Sequence, residues 1–95
     1  MTPLGLLILE FRIPGCHSLK EKRGKLRSLE TDLRREFNIS IAEVDRQDAW
    51  QAAVIACSMV GSDRVVVERN LKAIPAFCEQ NFHDFELVNH LMEIL

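Results

Sequence analysis

The chain has 95 residues, of which 47% are hydrophobic and 27% charged, and its formal net charge is -2. That length builds one domain burying roughly 60 to 70% of its unfolded-chain surface, and the composition excludes a disordered or a membrane-embedded chain. The small net charge conceals a polarity: residues 1–46 hold nine Lys or Arg against seven Asp or Glu, whereas residues 47–95 hold three against seven.

Met1-Thr2-Pro3 carries no basic region and the apolar run 4–9 is too short for a signal peptide or a membrane span, so we expect a cytoplasmic protein. Residues 4–13 alternate as a strand, and Pro14-Gly15 ends it because proline cannot donate to a ladder. Ser18 followed by Glu21 is the pattern of a capping box and predicts a helix over 19–37. At 100° per residue, Leu19, Leu26, Leu29, Leu33 and Phe37 form its core stripe, while Lys20, Arg23, Arg27 and Arg34 share one ridge beside it. Lys22 projects close to the stripe and is expected to extend its stem over the core edge, keeping its ammonium in water.

Residues 39–44 read as a second strand, and Asp45-Arg46-Gln47-Asp48 as a short connection into a third over 50–60, which predicts a hairpin. Gly61-Ser62-Asp63 closes it and supplies a cap for a second amphipathic helix, in which Pro75 predicts a kink or an early end. From about residue 84 the strand alternation returns, with Phe85, Leu87, Asn89 and Leu91 opposite Val88, His90, Met92 and Ile94. The order strand, helix, strand, strand, helix, strand with right-handed crossovers gives an α+β, ferredoxin-like βαββαβ domain spanning residues 1–95, a four-stranded antiparallel sheet with two helices on one face. Leu6, Ile8, Val54 and Ala56 would then line the uncovered face, which predicts a homodimer through that face or through an edge strand.

Two segments, Ser18-Leu19-Lys20-Glu21-Lys22-Arg23 and Glu43-Val44-Asp45 through Gln47-Asp48 to Trp50-Gln51, resemble the motifs of the YlxP-like family of small bacterial proteins, a domain of unknown function, and the resemblance runs nearly the whole chain. It implies a ferredoxin-like domain, often dimeric, whose genes lie in many bacteria near those for translation initiation and ribosome maturation. No established activity comes with it. Cys16 departs from the alanine expected at that position, which weakens a functional reading of the thiol.

Cys16, Cys57 and Cys78 are odd in number and lack a Cys-x-x-Cys pair, so reduced thiols are expected, with neither a disulfide framework nor a zinc site. His83 and His90, seven apart, have no metal-ligand spacing, and adjacent Cys16-His17 is poorly placed as a nucleophile and base. No catalytic residues and no cofactor are predicted. The leading functional reading is a non-enzymatic binding module that meets the ribosome or structured RNA through Lys20, Lys22, Arg23, Arg27 and Arg34, since cations supply the sequence-independent part of nucleic-acid affinity; a solvated helix face is the competing reading. Asp45, Gln47, Asp48 and Trp50 are read as a structural loop or an interface, with Trp50 a packed anchor at a sheet edge or dimer contact. The alternative function is a dimeric small-molecule-binding or protein-regulatory domain with its site near the interface.

Overall fold

A computed structural model describes residues 2–95. Strand β1 (Leu4–Arg12), helix α1 (Leu19–Glu36), strands β2 (Ser40–Asp45) and β3 (Ala52–Val60), helix α2 (Arg64–Asn81) and strand β4 (Glu86–Ile94) follow in chain order. The sheet runs β2-β3-β1-β4 with every neighbouring pair antiparallel, the ferredoxin-like arrangement that the element order demands.

Alternation along β1 and β3 sends Leu7, Leu9 and Phe11 together with Ala53, Ile55, Cys57 and Met59 under the helices, where all are buried. Leu26, Leu29 and Leu33 of α1 meet them, as do Val67, Leu71, Ile74 and Cys78 of α2. At Gly5 a Cβ would stand 2.4 Å from Leu71 Cδ1 and 2.8 Å from Val67 Cγ1, so the absent side chain is what lets α2 lie this close to β1. The five phenylalanines form one string of edge-to-face contacts, Phe11 to Phe85 (5.3 Å between centroids), Phe85 to Phe82 (6.5 Å), Phe82 to Phe77 (5.8 Å) and Phe77 to Phe37 (5.5 Å). Trp50 alone among the aromatic residues stands outside that string.

The expected cap is present: Ser18 Oγ accepts from the Glu21 amide at 3.0 Å. Glu21 reaches back one residue further than in the usual box, its Oε2 accepting from the His17 amide at 3.0 Å. That hydrogen bond, assisted by the charge of Lys25, holds the Glu21 carboxyl below its ordinary range.

Three local expectations need correction. Of the kink or early end expected at Pro75, the early end does not occur: helix α2 continues to Asn81, because Pro75 is itself buried in the helix's core-facing row and packing holds the segment helical. β4 does not alternate cleanly. Its pairing with β1 shifts between Glu10 and Phe11, where Val88 is the extra residue, so Leu87 and Met92 both pack against the core while Leu91 is 67% exposed. Lys22, expected to keep its ammonium in water, is 1% exposed. Among the described residues, no helix is long and apolar enough to cross a membrane.

Candidate functional site

Lys22 occupies the α1 row that also carries Leu26, Leu29 and Leu33, so the helix aims its ammonium under the sheet rather than along the ridge. There Nζ donates to the backbone carbonyl of Arg46 at 2.8 Å and to that of Ala49 at 2.7 Å, and lies 2.7 Å from Glu43 Oε2. Of the three N–H groups of the ammonium, the two carbonyls take hydrogen bonds, and the Glu43 carboxylate adds an ion pair. Glu43 Oε2 is buried and has no conventional hydrogen bond of its own, so the close approach of the cation is its compensation for leaving water.

This contact pins the β2–β3 loop from beneath. Arg46 and Ala49 close a turn, with the Ala49 amide donating to the Arg46 carbonyl at 3.0 Å, and Asp45 Oδ1 accepts from the Arg46 amide at 2.8 Å. Arg46 has φ of 60°, a left-handed conformation that costs a side-chain-bearing residue about 1–2 kcal/mol. The lysine thus holds in place a backbone shape the free loop would not favour. At the other end of the loop, Gln51 ties the β1–α1 connection down: its Nε2 donates to the Cys16 carbonyl at 3.1 Å, and its own carbonyl accepts from the Ile13 amide at 2.9 Å. With these groups turned inward, Asp45, Gln47, Asp48 and Trp50 are all exposed, Trp50 at 52%. Trp50 is therefore only half covered by its own chain.

Lys20, Arg23, Arg27 and Arg34 are exposed on α1. Among the described residues, the first three pair with no carboxylate, and Arg34 makes only a loose contact of 3.9 Å with Glu30. Lys25, on the opposite flank, reaches Asp84 beyond α2 at 3.7 Å. That flank faces α2, so the basic ridge lies on the other side of α1, toward the β2 edge of the sheet. Lys22 drops out of the ridge.

Sequence reasoning missed Glu43 as the partner of Lys22 and Gln51 as the partner of the β1–α1 connection. A signal existed: Ile41 and Glu43 lie two apart on β2, and Ile41 packs against the core, so Glu43 points under the sheet toward whatever cation α1 sends there. All three cysteines are buried and free, and Cys16 Sγ lies 3.6 Å from the Ser18 carbonyl. Among the described residues, no three His, Cys, Asp or Glu side chains gather closely enough to hold a metal ion.

A βαββαβ sheet whose β2–β3 hairpin loop is fastened to the first helix by a buried ammonium defines a small α+β domain of the ferredoxin-like class. The chain belongs to the family described as "Protein of unknown function (DUF503)", whose pattern matches residues 4–92. It is similar to the uncharacterized protein YlxP of Bacillus subtilis (strain 168), with 37% identity over 76 residues, which cover 80% of this chain and 83% of that relative.

Proposed function

We propose that this chain is a non-enzymatic cytoplasmic binding module that associates with the ribosome or with structured RNA through Lys20, Arg23, Arg27 and Arg34. The observation that carries the reading is the ridge: cations aligned along one helix, three of them free of any carboxylate partner among the described residues. Free cations keep their full attraction for phosphate, because no internal ion pair has to be broken first. The translation-linked gene setting implied by the family resemblance favours RNA over other polyanions. Charge reversal tests it directly: Arg23→Glu with Arg27→Glu abolishes salt-sensitive co-sedimentation with ribosomal fractions while the melting temperature stays unchanged. Unaltered co-sedimentation overturns the reading.

The uncovered sheet face supports a companion proposal, a second copy of the chain. Pairing places Ile8 between Ala56 of β3 and Leu91 of β4, with Leu6 and Val54 on the same face, and among the described residues Leu91 is left 67% exposed. At the rim of that face Glu10, Arg12, Arg46, Gln51 and Val88 outline a shallow cleft. Such a cleft favours the second functional reading, a dimeric domain taking a small molecule near its interface. A metabolite retained by the purified protein and identified by mass spectrometry supports it.

A further inference from the structure

The β2–β3 loop has a feature that the ridge does not account for. Its backbone is fixed before any partner arrives, by a buried ammonium on two of its carbonyls and by the turn that Arg46 and Ala49 close. A loop so fixed loses little further freedom on binding. What it presents is Trp50, half exposed although the chain's other aromatic side chains are all drawn into or against the core. The clamp fastens the loop to the ridge's helix one residue from each: Lys22, which precedes Arg23 in α1, donates to the carbonyl of Ala49, which precedes Trp50 in the loop.

We infer that Trp50 is a stacking platform for an unpaired RNA base, held beside a backbone that the α1 ridge grips. The inference rests on the ridge reading and adds to it the structural state of the RNA. An indole face is indifferent to base identity but needs a base out of its helix, whereas a ridge of cations serves paired and unpaired strands alike. The sheet cannot supply such a platform, because its open face carries Leu6, Ile8, Val54 and Ala56 rather than aromatic rings. The charge of the neighbouring ridge favours a polyanion over a protein surface as the occupant of the tip.

The chain's single tryptophan makes the test direct. Two synthetic RNAs are titrated at low salt, a hairpin with an unpaired loop and a fully paired duplex with the same stem. The hairpin is expected to quench Trp50 emission and the duplex to leave it unchanged. Trp50→Ala is expected to weaken the hairpin between about five- and a hundredfold while leaving the duplex affinity as it was. Arg23→Glu with Arg27→Glu weakens both. Hairpin binding without quenching, equal quenching by the duplex, or a Trp50→Ala chain that binds the hairpin like the parent overturns the stacking inference and leaves the ridge reading standing. Hairpin affinity and quenching that survive charge reversal overturn the ridge reading and, with it, the claim that the ridge grips the backbone beside Trp50. Failure of both RNAs to bind overturns the two together.

Discussion

The ammonium of Lys22 lies 2.7 Å from Glu43 Oε2, and the two residues come from the two separate motifs that mark this chain. Truncating the cation leaves a mostly buried carboxylate and two loop carbonyls without their donor. Breaking a buried pair from one side costs about 3–5 kcal/mol, so Lys22→Met is expected to lose about that much in urea unfolding. Adding Glu43→Leu removes the stranded charge, and the double variant is expected to be more stable than Lys22→Met alone. A Lys22→Met chain as stable as the parent would show that the contact contributes nothing.

The thiols set a limit on alkaline stability. Burial pushes the thiols of Cys57 and Cys78 up to about 12, with the charge of Glu30 adding to the first and that of Cys57 to the second. In the unfolded chain both titrate near their ordinary value of about 8.5. Above that pH the unfolded state releases protons that the folded state retains, so stability is intact below about 8.5 and falls as pH rises toward 12. Each thiol contributes a slope of up to about 1.4 kcal/mol per pH unit. Urea midpoints measured from pH 8 to pH 10 should fall more steeply for the parent than for Cys57→Ala with Cys78→Ala. Parallel curves would refute the assignment.

Gly24 offers a gain rather than a loss. It lies inside α1 and is exposed, and a Cβ there meets nothing within 4 Å. Gly24→Ala is expected to stabilise the chain by about 0.5–1 kcal/mol and to raise the melting temperature by roughly 2–8 °C in calorimetry. A lower melting temperature would mean that the helix uses the glycine in a way its surroundings do not reveal.

On the uncovered face, Ile8→Glu places a carboxylate among Leu91 and Ala56 without touching the helix-covered core. We expect sedimentation equilibrium to find a dimer for the parent and a monomer for this variant, with the far-ultraviolet spectrum unchanged. A parent that stays monomeric as concentration rises rules out the second copy.

Much of the fold was legible because local chemistry and tertiary packing agree. Ser18 and Glu21 mark the α1 start by short-range hydrogen bonding, and alternation in β1 and β3 names their inward rows. Lys22 was harder to place. At 100° per residue it falls between Leu29 and Leu33, within the stripe itself, yet lysine is so seldom buried that a stem reaching water was the natural expectation. Its acceptors come from Glu43 and from two backbone carbonyls, which carry no signature in the side-chain sequence. The bulge at Val88 was hidden for a related reason: hydrophobic residues on both sides of the irregularity give no sign of where the alternation breaks. The early end expected at Pro75 fails because core contacts override a local helix breaker. Lys20, Arg23, Arg27 and Arg34 are exposed as their helical spacing predicts, and only Lys22 of the five named cations departs from the ridge.

The strand order carries a consequence for synthesis. β1 occupies the interior of the sheet between β3 and β4, so the strand made first is completed by the strand made last. At about 5–20 residues per second, roughly 4 to 16 s separate the two on the ribosome. Throughout that interval one side of β1 has unsatisfied backbone groups next to Leu6, Leu7, Ile8 and Leu9, a combination prone to mispairing with other chains. Helix α1 and the β2–β3 hairpin emerge before β4, and the Lys22 contact can fasten them together while the other edge of β1 still waits for it.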